Sequence, residues 1–113
     1  MKKYHKRVKN LLKTFNKHSN DYEIEYRIHA TRRMFQRFIH EDDVEAILKK
    51  CTVIEQYDDD LPFPSFLING TGSDNAPLHV VAALNIDESK IVIITVYKPD
   101  PLKWNKQFSR RNK

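Results

Sequence analysis

The chain has 113 residues and a mass of 13.4 kDa, one domain's worth. That length excludes two full domains, an eight-fold βα barrel, and a dinucleotide fold with a separate substrate domain. Hydrophobic residues make up 40% and charged residues 31%, an ordinary balance for a globular chain. No stretch approaches the ~20 apolar residues a bilayer span needs. The basic start, Met1-Lys2-Lys3-Tyr4-His5-Lys6-Arg7, has no apolar run behind it as a secretory signal requires. A cytoplasmic location is therefore expected. The lone Cys51 permits neither an internal disulfide nor a Cys-rich zinc site. With Gly70 and Gly72 as the only glycines, there is no GxGxxG motif and no P-loop.

The net charge of +5 hides a pattern: residues 1–40 sum to +8, residues 41–97 to −8 and residues 98–113 to +5. A basic head and tail thus flank an acidic middle. Clustered Lys and Arg attract a polyanion such as RNA, and the acidic middle argues for one-sided contact. The plainer reading is a solvated surface on a basic protein.

Residues 4–17 read as an amphipathic helix, with Tyr4, Val8, Leu11, Leu12 and Phe15 on one stripe and Lys6, Lys9, Lys13 and Lys17 outside it. We expect that stripe to dock on the domain; a membrane-surface helix or a partner-covered helix are the alternatives. After the polar break Ser19-Asn20-Asp21, Tyr22–Ile28 alternates as a short strand or extended lead-in. From Ile28 to about Phe38 the period becomes helical: Ala30, Met34 and Phe38 form one stripe, His29, Arg33 and Arg37 its neighbour. A second helix starts near His40. Glu41, Asp42 and Asp43 lie in its first turn and Lys49-Lys50 at its end, as the helix dipole favours.

Strands follow: Thr52–Tyr57, Ser65–Asn69, Leu78–Asn85 and Lys90–Lys98, the last two joined by a short connection. Trp104 and Phe108 are expected to anchor a basic tail over 104–113, disordered over its last five residues. The order predicts an α+β domain over residues 21–103, with N-terminal helices packed on a four-stranded antiparallel sheet.

Three cation-capable groups four residues apart, His29, Arg33 and Arg37, repel one another unless an anion lies across them. A phosphodiester is such an anion: Arg gives two-point contact to phosphate oxygens, and His moves protons near neutral pH. This is equipment for metal-independent RNA cleavage. A base takes the ribose 2′-OH proton, cations stabilise the phosphorane, and an acid protonates the departing oxygen. The plainer alternative pairs Arg33 and Arg37 with Glu41–Asp43 or Asp58–Asp60 on the surface.

His79 is unusual on an apolar strand, where His79, Val81 and Ala83 share a face. Without further support it reads as a buried histidine bonded to a carbonyl. Tyr97, sharing a face with Thr95, is either the acid or a packing aromatic. Glu55 either holds a histidine or arginine in place or faces solvent. Arg32, Lys6, Lys9, Lys13, Arg110 and Arg111 are candidate nucleic-acid contacts. The five histidines (His5, His18, His29, His40, His79) show no HExxH and no Cys–His pairing, and Asp58-Asp59-Asp60 is a weak metal signal. No metal and no cofactor are expected.

The run IHATRRMFQRFIHEDDVEAIL resembles the signature of a bacterial domain-of-unknown-function family, number 4258: His-Ala-x-x-Arg-Met-x-x-Arg-Gly-Ile-(Ser/Thr), then an acidic-capped helix. VIEQY, PLHVVAAL and IVIITVYKPD follow in the family's order, so the resemblance spans about residues 22–101. The family is similar to the RelE-like and barnase-like small ribonucleases, which include toxins of toxin–antitoxin pairs. The resemblance implies helices on a four-stranded antiparallel sheet, and an RNA-directed nuclease or an inactive relative. Two positions depart from the signature. Phe38 stands where the family has glycine, and His40 where it has a capping Ser or Thr.

Three functions are therefore expected to compete. The first is a toxin-type endoribonuclease with His29 as base or acid, Arg33 and Arg37 on the phosphate, and His79 or Tyr97 complementary. The second is a non-catalytic RNA- or protein-binding module. The third is a partner protein bound by an acidic antitoxin. The first requires His29, Arg33, Arg37 and His79 to converge in one open pocket.

Overall fold

The computed structural model describes residues 23–50, 52–57, 59, 63–72, 75–85 and 87–112. The helix expected over residues 4–17, with Lys6, Lys9 and Lys13, lies outside the described residues, as do Cys51, Asp58 and Asp60. The elements run β1 (Glu23–Tyr26), α1 (Ile28–Gln36), α2 (Glu41–Lys50), β2 (Thr52–Tyr57), β3 (Ser65–Thr71), β4 (Pro77–Asn85) and β5 (Lys90–Tyr97).

The α+β class holds, but the sheet is not the four-stranded antiparallel one expected. It has five strands in the order β1-β5-β4-β3-β2, and β1 runs parallel to β5. The EIEY segment seals that edge by alternation. Ile24 and Tyr26 pack against the core, while Glu25 faces Lys90, whose ammonium lies 3.6 Å away. The helices are not wholly N-terminal to the sheet either, since β1 precedes them.

Both helices cover one face of the sheet. α1 lies against β5 and α2 against β3. Ala30, Met34, Ile39, Val44, Ile47 and Leu48 join Phe66, Ile68, Val80, Ala82, Leu84, Ile91 and Ile93 in one buried core. Strand alternation then turns His79, Val81 and Ala83 to the opposite face.

Two irregularities in pairing aim side chains. In β2 the register shifts between Val53 and Glu55, so Val53 joins the core while Glu55, opposite Leu67, faces away from the helices. In β5 Ala82 pairs with Ile93 but Val81 pairs with Thr95. The extra residue, Ile94, lets Ile93 and Val96 both face the core and leaves Tyr97 beside His79.

The α1–α2 corner resolves both departures from the signature. α1 ends in a Schellman arrangement: the Phe38 amide donates to the Phe35 carbonyl at 3.3 Å, and the Ile39 amide to the Met34 carbonyl at 2.9 Å. Phe38 takes the left-handed conformation, φ 58°, that glycine occupies at no steric cost. The buried pair Met34 and Ile39 closes the corner. At His40 the first turn is closed without a side-chain cap: the Asp43 amide donates to the His40 carbonyl at 3.0 Å, and the buried Asp43 carboxylate accepts from the His40 amide at 3.0 Å. No helix among the described residues is long and apolar enough to cross a membrane.

Gly70 sits where β3 meets α2. A β-carbon there would lie 2.8 Å from Ile47 Cγ1 and 3.0 Å from its Cγ2. Gly70→Ala is expected to cost ~1–3 kcal/mol by overpacking, measured by urea denaturation. Ile47→Ala in the same chain should recover part of the overpacking cost, which a double-mutant cycle would detect as coupling.

Candidate active site on the sheet face opposite the helices

The sheet face turned away from the helices carries a connected set of polar side chains. At its centre His79, on β4, is fully buried. Its register partners are Tyr97 on β5 and Asn69 on β3. Such an imidazole must have both ring nitrogens satisfied, and both are. Nε2 lies 2.7 Å from the Phe108 carbonyl oxygen and Nδ1 3.2 Å from the Tyr97 hydroxyl. A carbonyl only accepts, so Nε2 carries the proton and Nδ1 accepts from Tyr97.

The covering segment is the C-terminal one. Trp104 is buried and stacks edge-on against the His79 ring, 4.5 Å between centroids. Trp104 bridges to Arg111, and Asn112 ties the ends of the turn by donating to the Lys103, Leu102 and Trp104 carbonyls. Phe108, at φ 58°, turns the chain so that its carbonyl points at His79. Asn69 Nδ2 donates to the Gln107 carbonyl at 3.0 Å. Trp104 thus anchors the tail as expected, but the residues expected to be disordered include Arg111 and Asn112, both held in place.

Arg111 closes the cluster. Its guanidinium lies 4.7 Å from the Trp104 ring centre. Nε donates to one Glu55 oxygen at 2.9 Å and Nη2 to the other at 3.3 Å, a two-point ion pair. Tyr57, next on the same face of β2, also donates its hydroxyl to Glu55. Arg111 and then Tyr57 hold the Glu55 carboxyl below its usual range against the opposing effect of burial. Burial pushes the Tyr97 phenol up. Burial also pushes His79 down, partly offset by the Phe108 carbonyl. At neutral pH the set is therefore an ionised carboxylate, a permanent cation, a protonated phenol and a neutral imidazole.

The helical stripe lies elsewhere. Ala30 and Met34 pack α1 on the covered face, leaving His29, Arg32 and Arg33 in solvent. Arg37 is half-buried, and its Nη1 donates to the Val96 carbonyl at 2.8 Å, beyond Ile93 where pairing with β1 ends. His29, Arg33 and Arg37 therefore do not converge with His79 and Tyr97; the sheet separates them. Nor do the arginines pair with Glu41–Asp43. Among the described residues the ion pairs are Lys90 with Glu25 and Glu88, and Arg111 with Glu55. Arg110 is exposed. No group of three or more His, Cys, Asp or Glu side chains gathers at metal-binding distance among the described residues.

Glu55 was weighed in the sequence only as a positioning residue, and Tyr57 was not singled out. Their alternate placement in TVIEQY was the available signal.

Fold and site together define a small α+β domain with an acid–base and cation cluster on the sheet face opposite its helices. Residues 26–98 match the family model described as a domain of unknown function, DUF4258, and the chain belongs to that family. No curated protein matches the chain, and no solved structure does.

The enclosed imidazole fixes a sign for stability against pH. His79 binds a proton less readily folded than unfolded, so the unfolded chain takes up more protons as pH falls. Its contribution is complete above the ordinary histidine value of about 6.5 and is lost on acidification below it, by up to ~1.4 kcal/mol per pH unit. Urea midpoints at pH 7.5, 6.5 and 5.5 should show the decline, and His79→Gln should flatten it. An unchanged slope in that variant would mean the ring is not enclosed as described.

Proposed function

We propose that the protein is a metal-independent endoribonuclease whose reaction is centred on Glu55 and Arg111, on the sheet face opposite the helices, rather than on the α1 stripe. The observation that carries this reading is the ionised Glu55 carboxylate, partly open to solvent and held between a guanidinium and a phenol. A phosphodiester arriving at this face competes with Glu55 for Arg111. As the guanidinium turns to the phosphate, the depression of the Glu55 pKa relaxes and the carboxylate becomes a stronger base. Glu55 then takes the proton of the ribose 2′-OH. The 2′ oxygen attacks phosphorus, and Arg111 offsets the charge on the non-bridging oxygens. The P–O5′ bond breaks as the Tyr97 hydroxyl turns from His79 Nδ1 and gives its proton to the leaving oxygen, yielding a 2′,3′-cyclic phosphate and a 5′-hydroxyl. His79 positions the Tyr97 hydroxyl from behind. Arg37 serves the fold by satisfying the Val96 carbonyl, and His29 and Arg33 contact the phosphate chain away from the reacting bond.

A nuclease of this toxin type acts in the cytoplasm and needs restraint. An acidic antitoxin covering Arg111 and Arg110 is the partner the reading requires. A second reading is favoured by the enclosure of His79: a non-catalytic RNA- or protein-binding module in which the cluster only fastens the C-terminal segment.

Cleavage of RNA in EDTA, with analysis of the product ends, separates the two. We expect 2′,3′-cyclic phosphate products and a loss of ~100- to 10,000-fold in rate for Glu55→Gln, the range for a general base. His29→Ala should change the rate constant less than about tenfold, since a loss in the general-base range would return the reaction to α1. Salt-sensitive RNA binding by the folded wild-type chain without turnover would establish the binding module instead.

A further inference from the structure

The outer side of α1 presents a combination that the fold does not explain. Phe35 is 83% exposed and Phe38 88% exposed, and Ile28 beside them is also open. Phe38 is the more informative. It occupies the left-handed position at the end of α1, where a β-carbon is disfavoured, yet its ring is exposed rather than part of the core. Glycine would close the same Schellman corner without that strain. Two aromatic rings at the C-terminal end of α1, one of them strained, form a surface that no described residue buries.

Charge says what that is. His29, Arg32 and Arg33 lie exposed on the same helix, and no carboxylate stands within ion-pair distance of them among the described residues. Phe35 also lines, with Tyr26, Met34 and His40, an open groove of about 190 Å³ between α1 and the start of α2. Exposed flat rings together with exposed cations on one helix suit a single nucleic-acid strand: bases stack on the aromatics while phosphates meet the arginines. A duplex hides its bases and could not use the rings.

We propose that α1 is a docking track for single-stranded RNA, with Phe35 and Phe38 as base-stacking platforms and Arg32 and Arg33 as phosphate contacts. The inference deepens the nuclease reading by placing a strand-holding surface apart from the reacting groups. It assigns the strained Phe38 a role in binding rather than in folding.

The test is fluorescence anisotropy of the full chain with a short 2′-O-methyl oligoribonucleotide in EDTA. That probe lacks the 2′-OH and cannot be cut by the proposed reaction, so binding is read whether or not the chain is a nuclease. Phe35→Ala and Phe38→Gly should each weaken binding at least about fivefold. Phe38→Gly should do so with thermal stability equal to or above wild type, since it removes strain. Arg33→Ala should reduce the slope of log affinity against log salt by about 0.7, one single-strand phosphate contact. Wild-type affinity in both aromatic variants, or equal binding of the matching duplex, would overturn the track. Binding of poly-glutamate in place of the oligonucleotide would overturn it in favour of an acidic protein. If Glu55→Gln abolishes cleavage while the aromatic variants bind normally, the track fails and the nuclease stands. If the strand binds through the rings but is never cut, the nuclease fails and the track stands.

Discussion

A fully buried histidine in the middle of a mixed sheet organises the face of this domain opposite the helices. Leaving either ring nitrogen unpaired there would cost ~1–3 kcal/mol, so the imidazole demands two partners. Tyr97 reaches one nitrogen from the next strand. The other draws a backbone carbonyl from a segment 29 residues further on. Phe108 meets that demand only by adopting a left-handed conformation, and Trp104 and Arg111 lie where they do because the chain has to turn back to deliver it. The Glu55–Arg111 pair follows from the same turn. One polar side chain in an apolar strand thus draws the C-terminal segment over the sheet and assembles an acid–base cluster at its edge.

The two faces of the sheet divide the work. On the covered face, α1 and α2 bury an apolar core and the residues that close their junction. Arg37 belongs to that side despite its charge, because it satisfies a β5 carbonyl that β1 is too short to reach. On the other face, groups with opposed proton affinities sit together: a carboxyl held low by its guanidinium partner, and a phenol held high by burial. Such opposed shifts within one cluster are what a proton-transfer site requires, although structural ion pairs produce them too.

The parts legible from the sequence were those set by local spacing. The four-residue repeats of α1, the carboxylates opening α2 and the long β-branched runs of β4 and β5 each have a near-neighbour cause. The edge strand β1 alternates correctly in sequence, but its parallel partner lies far along the chain, and no local pattern announces that pairing. Two inserted residues were equally silent. Straight alternation puts Val53, Glu55 and Tyr57 on one face, and only the bulge at Ile54 sends Val53 to the core while Glu55 faces the site. The four-residue spacing of His29, Arg33 and Arg37 marks one side of α1. What spacing could not supply was which side of the sheet it lies on, a matter settled by Ala30 and Met34 packing against β5.

The most direct measurement of this account is the protonation and tautomer of His79, read by long-range proton–nitrogen NMR correlation between pH 5.5 and 8. An imidazole fastened between Tyr97 and Phe108 gives a neutral ring with its proton on Nε2, persisting below the pH at which an ordinary histidine titrates. A His79 that titrates near 6.5, or that exchanges between tautomers, would show that nothing holds the C-terminal segment on the sheet and that the cluster around Glu55 is not assembled.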